Sequence, residues 1–398
     1  MSKGHILIAG GGIAGLSAAL ALEQRGFAVT VLERSEFAQQ AGAGIQLSPN
    51  ATRLLDRLHV LPRLLDNAVR PSAIVLMAGK TAMPLLSLDL SEAEQHWGAP
   101  YLAVHRADLH AALLAEARTR AAIHIRIGCT LASINQTADG VSVAYQSASA
   151  HHTAAGVFLV AADGVRSSLR RTIVSADARF SGYIAYRHTF NARSVMPKVL
   201  HSLLASGSVA AFLTPNAHLV AYPLRNATEL NLVAITRGSE NGDAWHRAGK
   251  AAGIPAGFND YEPDLATFLA GADNWSPYPI YVVRPNAKWS DGHRIMLIGD
   301  AAHGMAPYGA QGAAMAIEDA CTLATCLDND RTDCSGAIAQ YEDRRRSRIR
   351  RIARRTAANR FAYHCSGPIA AARDLMFRLR GQSFLQGLDW IYAFDADA

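Results

Sequence analysis

Residues 5–33 read HILIAGGGIAGLSAALALEQRGFAVTVLE. His5 to Ala9 is a short apolar run of the kind buried inside a parallel sheet, and Ala28 to Leu32 is a second. Between them, Ile13 to Gln24 is built from good helix formers and is followed by Gly26, a natural stop. The connection Gly10-Gly11-Gly12-Ile13-Ala14-Gly15 satisfies the pattern GxGxxG. Glycines there let the backbone turn sharply and approach a pyrophosphate, whose charge meets the free N–H groups of the helix start. Glu33 ends the second strand, 18 residues beyond Gly15, where a carboxylate can accept hydrogen bonds from ribose hydroxyls, and Arg34 beside it joins the candidate nucleotide set. This strand–turn–helix–strand unit opens a doubly wound sheet. Alone it leaves NAD, FAD and a structurally used nucleotide all open.

Working outward, a helix is expected over Arg106 to Arg120, followed by strands near residues 123–127, 141–145 and 157–161. From Gly182 to Thr236 the texture changes to alternating segments, YIAYRHTF, SVAAFLTP, HLVAYPL and ELNLVAIT, separated by turn residues such as Pro215-Asn216 and Arg225-Asn226. With Ile74–Met77 they predict a largely antiparallel sheet. A short helix at Asp264–Leu269 closes that region, and RIMLI at 294–298 returns to the buried-strand pattern. Helices are expected at Gly312–Leu327, Gly336–Phe361 and after Pro368. The fold class is therefore α/β: a doubly wound dinucleotide-binding domain with an inserted, largely antiparallel β-sheet substrate domain and C-terminal helices. The expected division is residues 1–70, 101–178 and 278–365 for the first domain, 71–100 and 179–277 for the second, and 366–398 for a helical tail.

Composition bounds the function. The 398 residues are 50% apolar and 18% charged, which supplies a large core and argues against disorder. Five cysteines without a CxxC pair favour neither disulfides nor a zinc site and fit a reducing cytoplasm. No secretion signal and no run of about 18 apolar residues is present, so no membrane association is expected. The net charge of +6 is concentrated in residues 342–360, where nine arginines face only Glu342 and Asp343. Ile349, Ile352, Ala353 and Phe361 form an apolar stripe there, so the stretch reads as a surface helix with one docked face. Without stacking aromatics or a second basic cluster it does not read as a nucleic-acid site. The histidines show no metal-ligand spacing, and His151-His152 falls in an expected turn.

Two further segments narrow the nucleotide. LVAADGVRSSLRR (159–171) places Asp163-Gly164 after an apolar strand, and GDAAHGMAPYGAQGAAMAIEDA (299–320) places Gly299-Asp300 after another and then opens a helix. Each aspartate taken singly reads as a cap or turn residue. Together with GxGxxG, over residues 5 to about 350, they resemble the ordered motifs of the single-component FAD-dependent aromatic hydroxylases, in the branch of salicylate hydroxylase, 3-hydroxybenzoate 6-hydroxylase and 6-hydroxynicotinate 3-monooxygenase. The resemblance implies an enzyme that hydroxylates a small aromatic acid or phenol with NADH or NADPH and O2 through a C4a-hydroperoxyflavin. The WxWxIP element of flavin halogenases and a second dinucleotide fingerprint are both lacking. A flavin- or NAD(P)H-binding regulatory protein is the reading from another class.

By that resemblance Glu33 holds the adenosine ribose, Arg106 contacts FAD where the ribityl chain meets the ring, and Asp300 holds the ribityl or pyrophosphate end. Asp163 to Arg166 serve FAD and the pyridine nucleotide. Gly312 and Ala313, after Gln311, open a helix whose N-terminus would stabilise the anionic pyrimidine end of reduced flavin. Ala314 stands where relatives often carry Asn. Pro307 matches the proline beside the reactive ring edge and exposes a carbonyl without adding a donor.

His218 and Tyr222, four apart on an expected strand, share one face and match a substrate-binding His/Tyr pair. His218 is the candidate proton acceptor or relay and Tyr222 the phenol orienter, with a structural His beside a packed Tyr as the rival. Arg187 is a candidate for the substrate carboxylate or the nicotinamide cofactor, against an ordinary ion pair. Gln46 and Tyr308 complete the candidate substrate set. His303 reads as packed near the cofactor rather than catalytic. A homodimer is common among such relatives.

Overall fold

A computed structural model of the chain describes residues 4–36, 44–137, 139–148, 150–240, 256–330, 333–381 and 383–397. Its organising element is a five-stranded parallel sheet in the order Ile295–Leu297, Phe158–Ala161, His5–Ala9, Ala28–Leu32 and Ile123–Arg126. Ile6, Leu7 and Ile8 in its centre have no exposed surface, as an all-apolar strand covered on both faces requires. The helix Ile13–Gln24 packs on this sheet and against a later helix, Gly312–Asn329.

A second, seven-stranded sheet runs in the order Ser276–Val282, Arg179–Asn191, Glu229–Arg237, Ala217–Leu224, Val209–Leu213, Ala73–Ala78 and Pro84–Asp89. It is antiparallel except where Val209–Leu213 meets Ala73–Ala78. One face buries Leu219, Ala221, Leu230 and Leu232 with Leu200, Leu203, Leu265 and Leu269 of the helices Lys198–Ser206 and Pro263–Gly271. The opposite face carries the alternate residues and turns toward the first sheet's loops. This is the α/β architecture with an antiparallel sheet that the sequence pattern predicts.

A three-stranded sheet, Cys129–Gln136, Val141–Ser147 and Ala150–Gly156, corrects one expectation. His151 and His152 lie on its edge strand, with His152 stacked 5.3 Å from Tyr145; the reversal comes earlier, where Ala148 takes φ 52°. Among the described residues no group of three or more His, Cys, Asp or Glu side chains could hold a metal ion. No described helix is long and apolar enough to cross a membrane.

The arginine-rich stretch departs further from its reading. It belongs to a 31-residue helix, Cys334–His364, that buries Ile349 and Ile352 as expected but leaves Phe361 64% exposed. Arg345 and Arg348 are buried instead. Both point at the adjacent, fully buried carboxylates Glu318 and Asp319. Arg345 donates to Glu318 at 2.5 Å and Asp319 at 2.7 Å, and Arg348 reaches Glu318 at 2.8 Å. Helical periodicity of apolar residues cannot reveal this face, because the buried positions are charged and are matched only by residues on another helix.

Burial works against ionisation of Asp319, yet His303 and Arg345 hold its carboxyl down at about 2. Removing one member of such a buried set leaves an uncompensated charge and typically costs about 3–5 kcal/mol. Arg345→Met should therefore lower the thermal midpoint sharply. Arg354→Met, on the solvent side of the same helix, should shift stability by no more than about 0.5 kcal/mol in parallel melts.

Candidate active site between the two sheets

The nucleotide end is built from backbone. Gly10 takes φ 107°, and a Cβ there would stand 2.5 Å from the Ala162 carbonyl oxygen. A Cβ on Gly15 would stand 1.9 Å from the Gly10 carbonyl oxygen, so this residue must be glycine for the helix to reach the strand. Gly12 differs: a Cβ there would meet nothing within 4 Å, so it borders open space at the start of Ile13–Gln24, a helix with no side-chain N-cap. Free N–H groups facing a Gly-lined opening are what a pyrophosphate requires. Glu33 accepts from the Gly11 N–H at 2.6 Å and the Ser35 N–H at 2.7 Å, which holds its carboxylate beside the loop; Arg34 is exposed next to it. Ile13 is buried and Ala14 lies under Gly299.

The other end of the cofactor groove is formed by the Gly299-Asp300 turn and the start of Gly312–Asn329. The Asp300 side chain opens to solvent deep in the groove, where desolvation pushes its carboxyl up against the opposing pull of His303 and Arg106. Gly312 borders open space and its helix carries no side-chain N-cap. Ala313 follows, partly buried against the core. Gln311 is occupied elsewhere, donating to Ser48 Oγ at 2.9 Å.

These features fit FAD: two uncapped helix starts, two glycines backed by open space, and a carboxylate between them. Glu33 and the Gly10–Gly15 loop would hold its adenosine and pyrophosphate. Asp300 and Arg106 would hold its ribityl portion, and Gly312-Ala313 the pyrimidine edge of its ring.

Three expected site residues have local duties. Asp163 accepts from Ser167 Oγ at 2.5 Å and from the Leu169 N–H at 3.2 Å, so both its carboxylate oxygens serve its own loop. Buried Arg170 ties that loop to the Gly299-Asp300 turn through the Ala301 carbonyl at 2.8 Å. The Pro307 carbonyl accepts from the Ala310 N–H at 3.2 Å, so it helps close a turn as well as facing the groove. His303 is a structural partner of Asp319 at 2.6 Å, 7% exposed.

The sheet face opposite this groove gathers the substrate candidates. His218, Val220 and Tyr222 alternate with Ala217, Leu219 and Ala221, which belong to the far core. Tyr222 is buried against Gly44, where a Cβ would stand 2.6 Å from the ring. Two residues past Gly44, on the short strand Gly44–Leu47, Gln46 accepts from the Tyr101 hydroxyl at 2.8 Å. Arg187 crosses the Tyr278 ring at 4.2 Å and has Tyr222 and Arg106 as electrostatic neighbours. Burial raises the pKa of Tyr222 and lowers that of Arg187.

His218 is 1% exposed, and its ring lies 5.1 Å from that of Tyr308, which is buried through packing with Ala185, Ile235 and Ile280. Burial, with a smaller push from His364, lowers the pKa of His218 to about 3.

Several neighbours escape sequence reasoning. Tyr183, Tyr363 and His364 complete an aromatic enclosure with His218 and Tyr308. Thr189 and Asn231 face each other across paired strands, and Thr189 Oγ1, Asn231 Nδ2 and the Tyr308 hydroxyl have no hydrogen-bond partner among the described residues. His110, one turn past Arg106, bonds the Gly11 carbonyl at 2.8 Å. Only Asn231 carried a signal, as a polar residue inside an apolar alternating strand. The others depend on contacts distant in sequence.

The chain matches the family model described as an FAD binding domain over residues 3–356. It is 34% identical to a 3-hydroxybenzoate 6-hydroxylase of Klebsiella oxytoca over 394 residues, covering 98% of this chain and 97% of the relative. It is also 34% identical to the 3-amino-4-hydroxybenzoate 2-monooxygenase PtnB3 of Streptomyces platensis over 398 residues, covering 98% and 96%. Among solved structures it superposes on a variant of HpxO of Klebsiella pneumoniae complexed with FAD with a TM-score of 0.80, at 22% identity and 97% coverage of both chains. A salicylate hydroxylase substrate complex superposes with a TM-score of 0.76 at 20% identity, covering 98% of this chain and 96% of that one. The chain belongs to the family of FAD-dependent aromatic hydroxylases and is a flavoprotein monooxygenase.

Proposed function

We propose that the protein hydroxylates a small aromatic acid or phenol, held flat against the sheet face that carries Arg187, His218 and Tyr222, using NADH or NADPH and O2. The observation that carries this reading is the packing of Tyr308, four residues before the uncapped helix start at Gly312, against His218, Ala185 and Ile235 of that sheet face. Bound FAD supplies the redox chemistry: it takes a hydride from the nicotinamide and activates dioxygen.

The chain's own residues supply position, dryness and proton control. Arg187 is a partly buried cation suited to a carboxylate, and charge-assisted hydrogen bonds are worth about 1.5–3 kcal/mol. Thr189 Oγ1 and Asn231 Nδ2, side by side, offer a further polar contact to a ring substituent. Tyr222, with its pKa raised by burial, stays a neutral phenol that can donate to a phenolic oxygen. His218 stays a neutral imidazole and can accept a proton. Taking that proton from a bound phenol enriches its ring for attack by an electrophilic oxygen. Tyr308 and Tyr363 pack against His218, and Tyr183 packs behind Tyr308, so that the enclosure keeps water away. The free thiols of all five cysteines accord with placing the enzyme in a reducing cytoplasm.

A panel of hydroxylated benzoates and nicotinates, assayed for stimulated NAD(P)H oxidation with the product weighed by mass spectrometry, tests this directly. At least one compound should gain one oxygen atom; turnover with every mass unchanged would sink the reading. His218→Ala should cut hydroxylation by about 10²-fold or more while FAD stoichiometry is kept. Arg187→Met should raise KM about tenfold or more for carboxylated substrates and far less for simple phenols. Gly12→Val should yield a folded protein with weakened FAD binding, seen as loss of the yellow chromophore on desalting.

A further inference from the structure

The Nδ1 of His218 lies 2.9 Å from Nε2 of His364, the last residue of the helix Cys334–His364. His218 is 1% exposed, walled by Tyr308, Tyr363 and His364 at centroid distances of 5.1, 5.4 and 5.1 Å. It has no direct route for a proton to water. His364 is only partly buried; its ring packs near those of Tyr183 and Tyr308, and the cations Arg237 and Arg360 act on it electrostatically. The two rings thus form a two-step connection from the enclosure to the surface. The Nε2 of His218, on the other side of its ring, is the nitrogen left for a ligand.

Resting on the proposed hydroxylation, we infer that His364 is the relay that carries a bound phenol's proton from His218 to solvent. The transfer balances without any further reagent. The phenol O–H gives its proton to His218 Nε2, the Nδ1 proton of His218 passes to His364 Nε2, and the Nδ1 proton of His364 leaves to water. One proton enters and one leaves, and the hydrogen bond between the rings reverses direction. When the product oxygen takes a proton back, the same steps run in reverse and restore both starting tautomers. Burial lowers both imidazoles, His218 to about 3 and His364 to about 4, with Arg237 and Arg360 adding to the effect at His364. An imidazolium is therefore disfavoured at either position, so the proton passes through the pair instead of resting on it. Of the two roles open to His218, acceptor or relay, the 2.9 Å contact between its Nδ1 and His364 Nε2 favours the relay.

The test uses FAD-loaded protein and a chromogenic phenol, 4-hydroxy-3-nitrobenzoate, whose deprotonation is seen by colour after a pH jump in a stopped-flow instrument. His364→Gln and His364→Ala should bind the probe with affinity within about threefold of wild type, yet exchange its proton about 10²-fold more slowly. Added imidazole should restore part of that rate in His364→Ala, a response a purely structural role would not give. Exchange as fast as wild type in both variants, or slowed exchange in His364→Ala that imidazole leaves unchanged, overturns the relay. The readout needs no turnover. If wild type hydroxylates nothing while the variants still slow the probe and imidazole rescues, the relay stands and the assigned reaction falls.

Discussion

Two adjacent carboxylates at the centre of the molecule, Glu318 and Asp319, constrain most of what surrounds them. Neither has exposed surface, and a buried charge is tolerated only when its partners are in place. Glu318 is met by Arg345, Arg348 and the Asn50 amide; Asp319 is met by Arg345, His303 and the Gly299 N–H. Those partners belong to three segments distant in sequence. The network therefore fixes the Gly299-Asp300 turn, the Ser48–Asn50 segment and the long C-terminal helix against one helix, whose N-terminus opens onto the cofactor groove. Ser48, Asn50 and Gln311 extend the same hydrogen bonding to that N-terminus. A preorganised helix start stabilises charge without reorganising at the moment of reaction, and this network holds it in position.

The second constraint is the two-residue period of a strand. On Ala217–Leu224 it sends Leu219 and Ala221 into an apolar core and His218 and Tyr222 to the opposite face; on Arg179–Asn191 it does the same for Tyr186 and Arg187. Cross-strand pairing then sets Val220, Val233 and Arg187 in one row, flanked by rows containing His218 and Asn231. A slip of one residue in register would bury Arg187 in the far core. The same pairing that stabilises the sheet thus determines which polar groups meet a ligand.

The electrostatic character of the enclosure follows from its walls. Rings supply area and exclude water but offer few hydrogen bonds, so titratable groups among them are driven to their neutral forms. His218, His364, Tyr222 and Tyr308 are all shifted in that direction by burial. The ionic network around Asp319 does the reverse, because full-strength partners are present there. The two environments are carried by one helix, Cys334–His364, about 28 Å apart along it. Its first half locks the scaffold with charge, and its last turn closes a pocket in which charge is unwelcome.

The sequence alone was sufficient for the elements whose signal is local. The strand–glycine–helix–strand unit, the later buried strand at 295–297 and the alternating segments between 179 and 237 are encoded in periods of 2 and 3.6 and in glycine placement. His218 and Tyr222 share a face for the same reason. What depended on tertiary structure was every feature made by pairing across long separations. The burial of Arg345 and Arg348 needs Glu318 and Asp319 on another helix, and so the stretch reads locally as a solvated surface. His364 gains meaning only from a strand 146 residues away. Local propensity carries no information about which charge will find a partner, since the cost of burying it is offset only when the chain closes on itself.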